Sequence, residues 1–268
     1  RASDLASNWH DTRSLNYTKD YIQQLAQISS DDLTRVAKSY LIPSKLTITS
    51  LDPEESEQVT NDAAKKTTRG ELQSHQLDNG LTVITQQDSR LPTVSITIAT
   101  LTGLPTETAE SSGINSLLAK VITKGTQNRS AEEIATTMDS MGASFGVSCG
   151  NNTTLTSGSC LAPDLAPTIE ILADIYQNPS LPQESIVRER DAMIASIQEQ
   201  ATDPLSVAFR KLRPALFGEQ GYGLYSGGTE TSLHSLQRDG LSAHHEKYFT
   251  AKNTVISIFG DIDIDATL

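Results

Sequence analysis

The stretch SSGINSLLAKVITKGT, residues 111–126, has the pattern of a short amphipathic helix closed by a glycine. Its apolar residues recur at positions i, i+3, i+4, i+7 and i+8, which lie on one face of a helix. They are Ile114, Leu117, Leu118, Val121 and Ile122. Gly125 follows them, as glycine commonly does where a helix ends. The pattern predicts a helix over 112–124 with one face in a hydrophobic core.

Strand and turn signals surround this helix. The tripeptide DNG at 78–80 lies between two alternating segments, a strong signal for a β-hairpin. Strands are also predicted at 45–51, 93–101 and 253–259, with a second hairpin over 144–162. The other helices are predicted at 15–28, 29–41, 130–141, 165–177, 183–202, 204–217 and 238–249. Because strands come in hairpins and helices in blocks, we predict an α+β fold with a mostly antiparallel sheet covered by helices.

A sequence repeat indicates more than one domain. The segment DLTRVAKSYLIPSKLTITSL, residues 32–51, resembles GLSAHHEKYFTAKNTVISIF, residues 240–259, and the aligned residues are 208 positions apart. A period of that length suits a whole domain. The polar stretch 52–70 has the composition of a linker. We therefore predict that 1–51 is the C-terminal part of one domain and 71–268 nearly all of a second, homologous domain.

Composition limits the classes of partner. The 268 residues include 21 basic and 33 acidic side chains, for a formal net charge of -12, which disfavours nonspecific nucleic-acid binding. No apolar run reaches membrane-spanning length. The opening residues RASDLASNWH show no signal-peptide pattern and resemble the interior of a longer chain.

The two cysteines, Cys149 and Cys160, flank a predicted turn at 150–153. In a hairpin centred there, Cys149 would face Thr154, so a disulfide across the strands is not expected. We interpret both as buried small hydrophobic residues. They leave the cellular compartment open.

A search for catalytic patterns finds none from the residues alone. None of the five histidines lies at the i, i+4 spacing from a second His or Glu that would place two ligands on one helical face. His244, His245 and Glu246 are adjacent and would point in different directions, as surface or partly packed helix residues. The glycine-rich segment 221–230 lacks the Lys-Ser/Thr of a phosphate-binding loop and is interpreted as a structured loop.

Four stretches, taken in order, resemble the M16 metallopeptidase family of pitrilysin, insulin-degrading enzyme and mitochondrial processing peptidase. They resemble its opening hairpin and next strand, its metal-site helix, its following helix and edge strand, and its closing region with a Gly-Asp ending. These stretches are 77–103, 112–126, 138–154 and 221–263. Residues 18–53 are similar to the closing region of a preceding domain of the same kind. The resemblance implies an M16-type α+β domain preceded by the last helices and strand of a homologous one.

The resemblance also implies where a zinc site would lie. Active members carry His-x-x-Glu-His on the helix, with two zinc ligands and a general base, and a second Glu ligand on a later helix. Anchored on Gly113 and on Lys124-Gly125-Thr126, the motif positions correspond to Ser116, Ala119 and Lys120, and the later Glu to Ser196. All four depart from the pattern. The edge strand also departs, with Gly146-Val147 where active members usually have Asn-Ala.

These departures predict no catalytic residue and no bound metal in this segment. The resemblance implies a noncatalytic half of an M16-type zinc peptidase that encloses and binds peptide for an active zinc-bearing domain, in the same chain or in a partner subunit. A nonproteolytic structural or assembly protein of the superfamily and an inactive peptide-binding subunit of a two-chain peptidase remain open. Bacterial relatives would suggest a periplasmic or cell-envelope location.

Overall fold

The computed structural model describes residues 8–10, 12–42 and 69–267. Contacts within the chain divide it into two units, Arg1–Asp62 and Ala63–Leu268. The predicted strand 45–51 and most of the predicted linker 52–70 lie outside the described residues. Each unit is considered by itself below.

The described part of the first unit contains two helices, α1 (Tyr17–Leu25) and α2 (Ser30–Tyr40). Ser29 begins α2 as predicted, because its hydroxyl accepts the Asp32 N–H while the Asp32 carboxylate accepts the Ser29 N–H. Neither helix has a buried residue. An apolar stripe at helical spacing runs along α2 and is solvent-exposed, with Leu33 63% and Val36 43% exposed.

A six-stranded sheet organises the second unit, in the order β1-β2-β6-β3-β5-β4. Its strands are β1 (Gln73–Gln76), β2 (Thr82–Gln87), β3 (Thr93–Leu101), β4 (Ser144–Cys149), β5 (Thr153–Leu161) and β6 (Thr254–Gly260). Every neighbouring pair is antiparallel except β2 and β6, which are parallel. The predicted α+β class and mostly antiparallel sheet are therefore confirmed.

Both predicted hairpins form. The DNG turn joins β1 to β2, and Gly80 takes a φ of 89°, which favours glycine. In the second hairpin Cys149 pairs with Thr154, as predicted, and both cysteines are free. Cys160 is buried, whereas Cys149 is only half-buried, so its predicted full burial is wrong. Burial raises the pKa of the Cys149 thiol to about 11, so it stays protonated and unreactive at neutral pH.

Helices pack over the sheet of the second unit. They are α3 (Ile114–Val121), α4 (Ala131–Ser140), α5 (Leu165–Gln177), α6 (Gln183–Gln200), α7 (Pro204–Phe217), α8 (Glu230–Ser235), α9 (Arg238–Tyr248) and α10 (Ile264–Thr267). Short 3-10 turns lie at Leu104–Thr106, Ala162–Asp164, Gly221–Gly223 and Ala251–Asn253. Helix α4 starts at Ser130, as predicted, with a capping box in which Ser130 and Glu133 exchange hydrogen bonds. Two helices, the six-residue α8 and the four-residue α10, have no counterpart in the predicted elements.

Helix α3 lies at the centre of the core. All five residues of its apolar stripe are at most 4% exposed. They pack in one cluster with Val94, Ile96 and Ile98 of β3 and with Ile171, Leu172 and Ile175 of α5. The predicted amphipathic helix is thus a core helix.

Candidate functional site

The candidate site is built on α3, which is the element that resembles the zinc helix of the family. Gly113 precedes it with a φ of 90°, and a Cβ there would lie 2.9 Å from the Cα of Gly228. The helix start therefore touches the glycine-rich loop directly, and the Ser112 hydroxyl donates to the carbonyl of Tyr225 at 3.1 Å. The predicted loop 221–230 therefore packs against the start of α3.

A buried carboxylate caps the start of α3. Glu107 accepts the N–H of Gly113 at 2.9 Å and the N–H of Asn115 at 3.2 Å. Burial raises the pKa of Glu107, and these hydrogen bonds oppose the rise. A negative charge at a helix N-terminus is favourable because the first N–H groups have no partner within the helix.

A buried polar network extends from this cap to α9. The Asn115 amide donates to Glu107 Oε1 at 2.9 Å, and Asn115 Oδ1 lies 2.9 Å from His244 Nε2. Burial, with the positive charges of Lys247 and His245 nearby, lowers the pKa of His244 to about 4, so the ring is neutral at pH 7. His245 is buried too, against the Tyr176 carbonyl at 2.8 Å. The prediction that both histidines are surface or partly packed residues is wrong.

A second carboxylate holds the turn that follows α3. Asp174 of α5 accepts from the Thr126 hydroxyl and from the Arg129 guanidinium, each at 2.7 Å. It also accepts from Asn128 at 2.7 Å and Asn178 at 3.0 Å. Burial alone would raise the pKa of Asp174, but these four donors outweigh it and hold the pKa well below its usual range.

The four positions that would carry zinc chemistry are not brought together as a ligand set. The Ser116 hydroxyl donates to the carbonyl of Ser226 at 2.7 Å. Ala119 is buried and Lys120 is exposed. Ser196 lies on the exposed side of α6, where its hydroxyl accepts from Gln200 at 3.2 Å. Across the described ranges, no three His, Cys, Asp or Glu side chains are grouped so as to hold a metal ion.

These residues do not fit a zinc ion. Zinc takes thiolate, imidazole or carboxylate ligands in tetrahedral geometry, and a neutral serine hydroxyl already engaged with a carbonyl is none of these. Alanine has no group that can take a proton. The Lys120 ammonium would repel a dication. No chemical step that uses a metal can be assigned to these side chains.

A cleft of about 280 Å³ lies beside the same helix. Its lining, here called the edge-strand cleft, is Ala119, Lys120, Thr123, Lys124, Phe145, Gly146, Val147 and Glu189. Lys124 and Glu189 form an ion pair across it at 3.5 Å. The departures from the family pattern on α3 and on β4 therefore meet in one place.

Strand β4 gives this cleft an open sheet edge. It pairs with β5 and is the last strand in the sheet order among residues 69–267. Along β4, Phe145, Val147 and Cys149 are half-buried, and the residues between them are exposed. A terminal strand presents unpaired N–H and C=O groups that an extended peptide can meet.

Sequence reasoning missed the groups that hold α3 in place. No sequence pattern marked Glu107, Asn115 or Asp174 for this role. Asn115 and Asp174 also meet partners from distant parts of the chain, His244 and Arg129. One signal was present for His244 and His245, because Leu241, His244 and His245 share the i, i+3, i+4 spacing of a single helical face.

Comparison with known proteins agrees with this architecture. The family model of Insulinase (Peptidase family M16) matches residues 82–230. An "Uncharacterized zinc protease" of Rickettsia felis is 29% identical over 189 residues, covering 70% of this chain and 46% of that protein. The bovine cytochrome b-c1 complex subunit 1 is 29% identical over 193 residues, covering 72% of this chain and 40% of that protein.

Solved structures share the fold. The crystal structure of a peptidase M16 inactive domain from Pseudomonas fluorescens superposes with a TM-score of 0.70 at 24% identity, covering 74% of this chain and 48% of that one. The chain therefore spans less than half the length of these relatives. In the part of the chain that the structure describes, no helix is long and apolar enough to cross a membrane. Since the family model covers more than half of its residues, the chain belongs to peptidase family M16.

Proposed function

We propose that this chain is a noncatalytic segment of an M16-type zinc peptidase that helps to enclose and bind peptide substrates for an active, zinc-bearing domain. One observation carries the proposal. Helix α3 has a buried apolar stripe, and two carboxylates, here called its polar anchors, hold its ends: Glu107 before it and Asp174 after it. Its cleft-facing positions are Ala119 and Lys120, which cannot do the chemistry of the motif. The scaffold of a zinc helix is kept for packing, without the ligands.

The cleft supports a peptide-binding role. An extended peptide can add to the open edge of β4 as a further antiparallel strand, using main-chain hydrogen bonds that do not depend on its sequence. The alternation along β4 would direct every second peptide side chain toward α3. Such a surface holds a peptide without cutting it.

Exposed apolar faces support a second M16-like domain as partner. In the second unit, α7 has no buried residue, and its large apolar side chains follow helical spacing: Leu205, Phe209, Leu212 and Leu216, each at least 46% exposed. Contiguous apolar surface of this kind marks contact sites. In the first unit the exposed apolar residues Leu33 and Val36 of α2 support a contact with the rest of a preceding domain. Together with the 208-residue repeat, they support 1–51 as part of that domain, 52–70 as linker and 71–268 as the domain without the zinc motif.

A nonproteolytic structural role is the second candidate. The likeness to cytochrome b-c1 complex subunit 1 favours it, because that relative is named as a subunit of a complex and not as a protease. Under this alternative the exposed apolar faces would bind other subunits, and no peptide would occupy the cleft. An inactive subunit that serves a separate active chain would share the peptide-binding cleft but not the tandem arrangement.

A peptidase assay with a chelator separates these candidates. The 268-residue chain should show no chelator-sensitive cleavage of a quenched fluorescent peptide library, whereas the parent protein should show it. Chelator-sensitive cleavage by the 268-residue chain would overturn the proposal. A parent protein without activity would favour the structural role, and activity recovered only with a second chain would favour the two-subunit form.

A further inference from the structure

Lys120 differs from Lys124 and Glu189, the other charged groups of the edge-strand cleft, because those two form an ion pair with each other. Lys124 is paired with Glu189, which also lies 3.9 Å from Arg188. No hydrogen bond or ion pair to Lys120 is found among residues 8–10, 12–42 and 69–267. The cleft therefore presents one uncompensated positive charge, although the chain as a whole has a net charge of -12.

The surroundings leave this charge accessible as a binding group. Lys120 follows the buried Ala119 on α3, and the half-buried Phe145 and Val147 of β4 line the same cleft. The cleft is open to solvent and Lys120 is exposed, so an anion beside the ammonium gains the modest attraction of an exposed ion pair. Because the chain as a whole is acidic, this attraction acts over a short range at Lys120 itself.

The position of Lys120 relative to β4 suggests which anion it meets. A peptide strand added to the open edge of β4 would run beside the side chain of Lys120, and a carboxylate is the anion that peptides carry. Lysine binds carboxylates as a point charge with three donors, and it needs no fixed ligand geometry. A zinc ion would polarise a peptide bond, but an ammonium can only retain the chain.

We propose that the edge-strand cleft selects peptides that place a carboxylate at Lys120, either the C-terminal carboxylate or an acidic side chain. This inference rests on the proposed peptide-binding function and adds a specificity to it. No bond is made or broken. The segment would hold acidic or C-terminal parts of a peptide while another domain acts on the rest.

The test uses four matched Val- and Thr-rich peptides, labelled with fluorescein at the N-terminus, and the full 268-residue chain. One pair differs only in a free or amidated C-terminus, and the other, amidated, only in an internal Glu or Gln. Fluorescence anisotropy should give tighter binding for at least one carboxylate form by about three- to fivefold, the range of an exposed ion pair. The pair that shows the difference identifies the source of the carboxylate.

Lys120→Met should abolish that difference and leave the affinity for the neutral peptides unchanged. Lys120→Arg should restore most of it. Lys211→Met, which removes an equal charge from the exposed side of α7, is the matched control and should keep the difference. Circular dichroism checks that each variant is folded.

The outcomes separate the two proposals. If the peptides bind and the carboxylate forms show no advantage, or Lys120→Met leaves the advantage intact, the Lys120 inference is overturned while peptide binding stands. If none of the four peptides binds, the peptide-binding function is overturned and the inference falls with it.

Discussion

The two faces of α3 differ in what their residues do: one face packs in the core, and the other lines the edge-strand cleft. On the core face, Ile114, Leu117 and Leu118 are almost completely buried, and polar anchors fix both ends of the helix. On the cleft face, Ala119 and Lys120 line an open space and form no ligand set. Packing and catalysis therefore impose separate demands on one helix, and the packing can persist where the catalytic residues are absent.

Truncation on the core face should have the largest effect. Leu118→Ala removes a fully buried side chain and should lower the free energy of unfolding by about 3 kcal/mol. Urea denaturation followed by circular dichroism measures the change. Leu216→Ala, at an exposed position of the same residue type, is the control and should cost about 0.5 kcal/mol or less. Equal losses would show that α3 is not the centre of the core.

The anchor after α3 comes next. Asp174→Asn keeps the shape of the side chain but removes the charge that accepts hydrogen bonds from Thr126 and Arg129. The free energy of unfolding at pH 7 should fall by about 2 kcal/mol. Because the folded-state pKa of Asp174 is depressed, its contribution is present above the unfolded pKa and is lost as pH falls below it. The variant should therefore lose less stability than the native chain in strong acid. Urea unfolding at pH 7 and in acid measures both effects. Asp139→Asn, an exposed control on α4, should change neither the free energy of unfolding at pH 7 nor its loss in acid.

His244, which contacts Asn115 in the first turn of α3, should give a different pH dependence. The pKa of His244 falls from 6.5 to about 4 on folding, so protonation favours the unfolded state. Its neutral ring is fully compatible with folding above pH 6.5, and stability should decline as pH falls from there toward 4. His244→Gln keeps a donor for Asn115 and should reduce this decline, leaving the smaller share of His245.

Urea unfolding midpoints at pH 7, 6 and 5 measure the effect of His244→Gln. The exposed His234→Gln is the control and should leave the decline unchanged. An unchanged decline in His244→Gln would contradict a neutral, buried His244.

A change on the cleft face should have the smallest effect on folding. Lys120→Met removes an exposed charge, so the free energy of unfolding should change by about 0.5 kcal/mol or less. Thermal unfolding of the native chain and the variant, measured in parallel, checks this. A loss of more than about 1 kcal/mol would mean that the two faces of α3 are not separable.

The sequence predicted those parts of the fold that depend on local pattern. The stripe of α3 and the DNG turn each occupy a short segment of the chain, and both are confirmed. The parallel pairing of β2 with β6 could not be predicted, because it joins residues about 170 positions apart and has no local signature. The apolar stripe of α2 shows a second limit of sequence patterns. The spacing of its residues indicates an apolar face of the helix, but it does not indicate which part of a protein packs against that face.

The candidate site was predictable only through resemblance. Spacing alone gave no reason to single out Ser116, Ala119, Lys120 or Ser196, since none belongs to a working motif. The cap by Glu107 is a local contact without a standard capping pattern, and the contact of Asn115 with His244 joins residues 129 positions apart. The edge-strand cleft depends on which strand ends the sheet, and that follows from the strand order rather than from any single segment.

Zinc content tests the central claim most directly. The chain, purified and dialysed against buffer with zinc in slight excess and then against buffer alone, should retain no stoichiometric zinc by elemental analysis. A variant with Ser116→His, Ala119→Glu, Lys120→His and Ser196→Glu, treated identically, should retain about one zinc per chain if α3 and α6 still hold the frame of the site. One equivalent of zinc in the native chain, lost with a chelator, would contradict the claim that this segment lacks a catalytic metal site.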